Sequence, residues 1–280
     1  MKRVGFMGPK GSFSQEAVKL YLRNLIGYKG VSYYNISDMI KLVENGNLDE
    51  AILPVENSIE GAVNLTLDLL SKSNNIYIKS ELVIDVNVNL LVVPGARMDD
   101  IEVIMSHPQP IGQCRNFLNK FLPRVQIKQV YTSAMAAEEV SKLNDKKCAV
   151  LGSVTAAEEY SLEILKSNIR DEDNNNTRFV VISKDKVGNT GRDKTSIIFS
   201  TEDRPGSLYR ILDIFNLWDI NMTKIVSRPK RNELGKYIFF VDILGHIDDS
   251  DVNDAITMIK RKTSYFKFLG SYPIYINDKI

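Results

Sequence analysis

The chain is poor in the residues that build covalent or metal-held frameworks. It has two cysteines, Cys114 and Cys148, and two histidines, His107 and His246, in 280 residues. Two cysteines are too few for a disulfide framework and fit a reducing compartment, although they could pair with each other. No Cys/His cluster has metal-ligand spacing, so we expect no metal site and look to carboxylates, hydroxyls, amides and arginine for chemistry. An excess of charge of one sign is also missing. The 36 Lys and Arg against 35 Asp and Glu leave a formal net charge of +1. That provides no bulk positive field, which argues against nucleic acid or a membrane surface as a partner. No apolar run reaches about 18 residues, so no membrane span is expected. Met1 to Phe6 runs straight into a strand-like segment without an apolar h-region, so no signal peptide is expected either. Internal repeats and low-complexity segments are absent.

What is present is an ordinary globular composition, 44% hydrophobic and 25% charged. It suits one large domain or two ordinary ones. Short apolar runs alternate with amphipathic stretches over the first two-thirds. Strands are expected at Val4–Met7, Ala51–Leu53, Val83–Val93 with a break near Asp85–Asn87, Val103–Met105, Val125–Val130 and Ala149–Leu151. Helices are expected after Ser12, which with Gln15 makes a capping box, around Val63–Leu70, after Gln109, and at Ser133–Leu143. This βα alternation predicts an α/β fold with largely parallel sheets. Asp185–Lys194 is polar, holds Gly188 and Gly191, and has no apolar periodicity, so it reads as a linker. Beyond it come strands at Thr195–Ser200, Ile220–Ser227, Tyr237–Leu244 and Phe266–Ile276, with helices at Leu208–Trp218 and Val252–Lys260. That βαββαβ order matches an α+β ferredoxin-like module.

Four polar loops follow predicted strands, where open α/β sheets bind ligands. Gly8–Ser14 leads into a helix N-terminus that favours anions; it equally fits an ordinary strand–turn–helix corner. Glu56, Asn57 and Ser58 could hold hydroxyl and carboxylate groups of a small substrate, or Asn57 or Ser58 could simply cap a helix. Ser106, His107 and Gln109 stand together with Gln113 one turn on. Histidine is the side chain suited to acid–base work near neutral pH, so His107 could serve as a general base, yet a lone histidine can be structural. Asn174–Phe179 sets the Arg178 guanidinium beside the Thr177 hydroxyl. The arginine suits a carboxylate, and the segment also fits a turn before an edge strand with a solvated arginine.

Together these loops resemble the prephenate dehydratases. Gly8-Pro9-Lys10-Gly11-Ser12-Phe13-Ser14 is similar to their opening motif. Glu56-Asn57-Ser58 with Gly61 and Thr66-Leu67-Asp68-Leu69-Leu70 is similar to a second block, and Ser106-His107-Pro108-Gln109 with Gln113-Cys114 to a third. Asn176-Thr177-Arg178-Phe179 resembles the N-x-T-R-F region. Arg204-Pro205-Gly206-Ser207-Leu208 and Ser227-Arg228-Pro229 resemble motifs of the attached ACT domain. Ser207 stands where alanine is usual and Val226 where glutamate is usual. The resemblance runs along essentially the whole chain, in order.

It implies a two-lobed, periplasmic-binding-protein-like catalytic domain over residues 1–184, a linker over 185–194 and an ACT regulatory domain over 195–280. It implies conversion of prephenate to phenylpyruvate with loss of water and carbon dioxide, without a cofactor, in a cytoplasmic homodimer or homotetramer inhibited by L-phenylalanine. The implied catalytic residues are Thr177, Glu56, Asn57 and Gln113. Ser12, Ser58, Ser106, His107, Ser133, Arg178 and Phe179 are the implied substrate contacts. Gly206, Ser207, Leu208, Asn221, Ser227 and Arg228 are the implied phenylalanine site. Arogenate dehydratase remains an alternative, with Met135 larger than the alanine often found in the block that shapes substrate choice. A non-catalytic amino-acid sensor is a second alternative.

Overall fold

The computed structural model describes residues 1–230 and 236–275. The chain opens with β1 (Lys2–Met7), α1 (Phe13–Leu22), β2 (Tyr28–Tyr33), α2 (Ile36–Glu44), β3 (Glu50–Asn57), β4 (Gly61–Ala62), α3 (Asn64–Lys72) and β5 (Tyr77–Asp85). It crosses into a second lobe made of β6 (Asn89–Val92), β7 (Val103–Ser106), α4 (Pro108–Gln113), α5 (Arg115–Phe121), β8 (Gln126–Gln129), α6 (Ser133–Leu143), β9 (Cys148–Gly152), α7 (Val154–Tyr160) and β10 (Glu163–Lys166). It then returns through β11 (Asn176–Ser183) to complete the first sheet, in the order β2-β1-β3-β11-β5 with β4 on β3; the second sheet runs β10-β6-β9-β7-β8. The two crossings hold each other, with Val86 N–H donating to Asn175 O and Ile169 N–H to Val88 O.

The third unit comprises β12 (Asp193–Ser200), α8 (Ser207–Leu217), β13 (Met222–Pro229), β14 (Tyr237–Leu244), α9 (Ser250–Lys262) and β15 (Tyr265–Pro273), its sheet ordered β13-β14-β12-β15. This is the βαββαβ order expected from the sequence. The last strand was expected to reach Ile276, which lies outside the described residues.

Both larger sheets are mixed, where largely parallel ones were expected. β11 runs antiparallel to β3 and β5, and β6 antiparallel to β9. The cause is the double crossing: a strand that returns from the second lobe enters the first sheet from its far end. The expected single helix after Gln109 breaks at Cys114 into α4 and α5. The alanine-rich helix expected at Ser133–Leu143 coincides with its element. α6 spans Ser133–Leu143, capped by the Thr132 side chain on Met135 N–H and ended by Asn144 in the left-handed region.

Two apolar clusters lie on opposite faces of the first sheet. On one face Phe179 and Val181 pack with Val4, Phe6, Ala17 and Ile52 beneath α1. On the other, Val180, Ile182, Leu53 and Val55 meet Ile198, Phe240 and Leu269 of the third sheet. The third unit is therefore docked on the first lobe through apolar burial, roughly 25 cal/mol for each Å² removed from water. At Gly270, where β15 crosses β5, a Cβ would fall on the Ile78 carbonyl oxygen and φ is +139°, so only glycine fits.

Candidate active site

Glu56 and Asn57 were expected in a loop. They instead end β3, because β11 pairs with them: Thr177 lies opposite Asn57 and Arg178 opposite Glu56, while Phe179 lies opposite Pro54. Val55 is thus the extra residue of a β-bulge. Bulges re-aim the side chains beyond them, and Pro54 helps because it has no N–H to give the ladder. The bulge turns Asn57 to the Thr177 side of the sheet and Glu56 to the Arg178 side.

On the Thr177 side the side-chain amides form a chain. Asn57 Oδ1 accepts from Ile59 N–H and Glu60 N–H, both at 3.0 Å. Asn57 Nδ2 donates to Thr177 Oγ1 at 2.9 Å and to Asn175 Oδ1 at 2.8 Å. Asn175 Nδ2 donates to Gln113 Oε1 at 3.0 Å. Gln113 Nε2 is buried and has no partner among the described residues. The Thr177 oxygen accepts from an amide, which occupies a lone pair and leaves its proton to donate. A concavity of about 340 Å³ opens beside Gln113 and Asn175, between Ile59 and Glu60 of the first lobe and Pro108 and Gln109 of the second.

On the opposite face, Arg178 Nε donates to Glu81 (2.7 Å), Nη1 to Asp242 (2.6 Å) and Nη2 to the Tyr272 hydroxyl (2.9 Å). Lys194 also bonds Glu81, and Lys224 bonds Glu56 at 2.9 Å. Ser196 donates to Asp242 at 2.5 Å. Three cations thus meet three carboxylates across the junction of the first lobe and the third unit. Burial alone would lower the Arg178 pKa and raise that of Asp242; the Tyr272 hydroxyl, Asp242 and Glu81 together outweigh it at the guanidinium and raise it, while Arg178 and the Ser196 hydrogen bond outweigh it at the carboxyl and hold it below its ordinary value. The Tyr272 hydroxyl is pushed well up by burial, then by Asp242, and stays protonated.

The structure therefore brings Thr177, Asn57 and Gln113 together and does not bring Glu56 or Arg178 to them. Phe179 is a buried core side chain. Ser12 caps α1 by accepting from Gln15 N–H, and His107 caps α4 by accepting from Gln109 N–H. Ser58 donates to Asn174 O and accepts from Asn176 N–H, stapling the start of β11. Ser106 is buried and donates to Leu151 O. Ser133 begins α6, whose first turn carries no acidic residue.

In the third unit, Gly206, Ser207 and Leu208 start α8 beside a concavity of about 370 Å³. Asn221 follows the far end of α8, about 16 Å away along the helix at 1.5 Å per residue, so one chain does not bring it to Gly206. Ser227 is exposed on the edge strand β13. Arg228 instead faces the first lobe in a two-pronged pair with Asp68, both contacts at 3.1 Å.

Sequence reasoning missed Asn175, Glu81, Lys194, Lys224, Asp242 and Tyr272. A signal existed for Asn175. The N-x-T-R-F pattern places its asparagine two residues before Thr177, at Asn175, rather than at Asn176. The others are paired across long stretches of chain, and no local pattern marks them.

Residues 4–187 match the family model for prephenate dehydratase, and residues 195–257 that for the ACT domain. A prephenate dehydratase of Methanocaldococcus jannaschii is 38% identical over 98% of this chain and 99% of its own length. Among solved structures, prephenate dehydratase from Arthrobacter aurescens in complex with L-Phe superposes with a TM-score of 0.88 at 31% identity, covering 97% of this chain and 90% of that one. GqqA, described as a novel type of quorum quenching acylase, superposes with a TM-score of 0.87 at 26% identity over 98% of both chains. One fold thus carries differently described activities, and the reaction has to be argued from the site.

Proposed function

The chain belongs to the prephenate dehydratase family and carries an ACT domain, and from that premise we propose that its amide-linked Thr177 drives loss of water and carbon dioxide from prephenate. The bond from the quaternary ring carbon to its carboxylate breaks. The released pair moves through the ring, which becomes aromatic, and the ring C–OH bond breaks on the far side. The departing hydroxide takes up one proton, in net from solvent, and leaves as water, so phenylpyruvate, carbon dioxide and water result. Hydroxide is the poor leaving group, and a positioned donor assists it. Thr177 donates a hydrogen bond to that oxygen. Asn57 Nδ2 donates to the threonine oxygen and so strengthens its O–H as a donor, since linked hydrogen bonds polarise one another.

The Asn57–Thr177 bond is the observation that carries this reading. Gln113 Nε2 supplies a further donor to the substrate, and the free N–H groups at the starts of α1 and α6, near Ser12 and Ser133, suit its carboxylates. Incubating the protein with prephenate and following phenylpyruvate absorbance tests the reading; no product from a folded chain would refute it.

We propose residues 1–184, 185–194 and 195–280 as catalytic domain, linker and ACT regulatory domain, working in the cytoplasm; the last two linker residues, Asp193 and Lys194, already open β12. No helix among the described residues is long and apolar enough to cross a membrane. L-Phenylalanine occupies the ACT domain between two copies of the chain, which bring Asn221 of one to Gly206–Leu208 of the other, in a homodimer or homotetramer. Feedback then has a short route. Thr177 and Arg178 are neighbours on β11, one facing the substrate and the other bonded to β14 and β15 of the ACT domain. Glu56, Arg178 and Arg228 serve this junction, rather than the substrate or the effector.

A further inference from the structure

We infer that Asn175 is a positioning residue for the elimination, its side-chain amide setting which end of Gln113 faces the substrate. The inference rests on the reaction proposed above.

A primary amide has an accepting end and a donating end, and the two cannot be exchanged without turning the group over. In this site the direction is set at one place and passed along. Ile59 N–H and Glu60 N–H both point at one end of the Asn57 side chain, so that end must be the oxygen. Its nitrogen then faces Asn175, which must present oxygen. The other end of Asn175 is nitrogen and faces Gln113, which must present its oxygen in turn. What remains is Gln113 Nε2, buried and without a partner among the described residues.

Asn175 is itself 1% exposed and sits where the second crossing enters β11. Its backbone carbonyl is held by Val86 N–H at 2.7 Å, so its place is fixed independently of its side chain. Prephenate offers only acceptors at its two carboxylates and its keto group. A donor at Gln113 serves it, and an oxygen there would repel it. Without Asn175, Gln113 is free to turn over. With aspartate at 175 the carboxylate still accepts from Asn57, but it can only accept from Gln113 as well. Gln113 then turns its oxygen toward the substrate.

The test uses the full-length enzyme and two variants, Asn175→Asp and Asn175→Ala, with thermal unfolding as the check on folding. For Asn175→Asp we expect kcat/KM on prephenate to fall about 100-fold at pH 7.5, the size of losing one preorganised donor. The loss should shrink as pH falls and the new carboxyl protonates, because a neutral carboxylic acid again donates to Gln113. Asn175→Ala, which adds no charge, should lose at least about tenfold, chiefly in kcat, with no recovery at low pH. Asn175→Ala within threefold of wild type overturns the inference whatever the aspartate variant does, since charge alone would then explain that variant. If Asn175→Ala does not fold, Asn175→Asp decides, and a loss that low pH leaves unchanged overturns the inference. If the aspartate variant does not fold, the alanine variant decides. Wild-type turnover in the same assay separates the two claims: inactive wild type removes the proposed reaction, and active wild type with an indifferent Asn175 removes only this inference.

Discussion

Replacing Arg178 with alanine should unfold the junction between the catalytic and regulatory units rather than weaken substrate binding. The guanidinium makes three charge-assisted or hydroxyl hydrogen bonds at 2.6–2.9 Å. Of its partners, Glu81 keeps Lys194 and Tyr272 keeps Ser196. Asp242 is left worst off: 7% exposed, with Ser196 as its remaining direct side-chain donor. Breaking a buried pair from one side costs about 3–5 kcal/mol because a charge is left uncompensated. At about 2–4 °C per kcal/mol for a domain of this size, Tm should fall by roughly 6–20 °C. Calorimetry reads this directly. The double variant Arg178→Ala/Asp242→Asn removes both charges and should recover part of the loss, and with Asp242→Asn alone it closes a cycle that gives the coupling free energy between the two sites. A Tm within about 2 °C of wild type, together with a large rise in KM, would refute the reasoning and return Arg178 to the substrate-anchoring role its place beside Thr177 suggests.

Two further predictions concern the same junction. Asp242 has a folded-state pKa below its ordinary 3.8, so the unfolded chain takes up the proton first as pH falls. Its contribution to stability is therefore complete above about pH 4 and is lost as pH drops through the folded value; Tm measured from pH 6 to pH 3 should fall less steeply in Asp242→Asn than in wild type, and parallel curves would contradict this. Lys224→Met breaks the pair to Glu56 while leaving Asn57 and Thr177 in place, so turnover without effector should stay within threefold of wild type and half-inhibition by L-phenylalanine should require several-fold more ligand. Unchanged inhibition would show that this pair does not carry the feedback.

Much of the architecture was legible in the sequence because its elements are periodic. α6 was marked by its alanine content, and the βαββαβ order of the last unit by its alternation of strand-like and amphipathic runs. β11 showed only as the edge-strand alternative for Asn174–Phe179, whereas it lies between β3 and β5; Asn176 and Thr177 open it with polar residues, and its apolar run, Phe179–Ile182, is continuous because both faces are buried. β2 and α2 were also passed over. β2 is a sheet-edge strand with Lys29 and Gly30 and little alternation.

At the site, residue types were readable and directions were not. Glu56 and Asn57 are adjacent, as are Thr177 and Arg178, and each pair splits across two faces of one sheet. The Val55 bulge decides which member joins the amide chain at Thr177 and which the Arg178 cluster, and it exists only once β3 and β11 are paired. Ser12, Ser58, Ser106 and His107 were drawn into the site by motif, yet their polar atoms serve two helix caps, a loop staple and a bond from β7 to β9.

The central claim is that the Thr177 hydroxyl, held by Asn57, assists departure of the ring hydroxyl. Thr177→Val keeps the shape and β-branching of the side chain and removes only that hydroxyl. Phenylpyruvate formation from prephenate under single-turnover conditions should fall about 10²–10⁴-fold, the range for a positioned proton donor, with Tm near that of wild type. A folded valine variant that still turns over within tenfold of wild type would contradict the account.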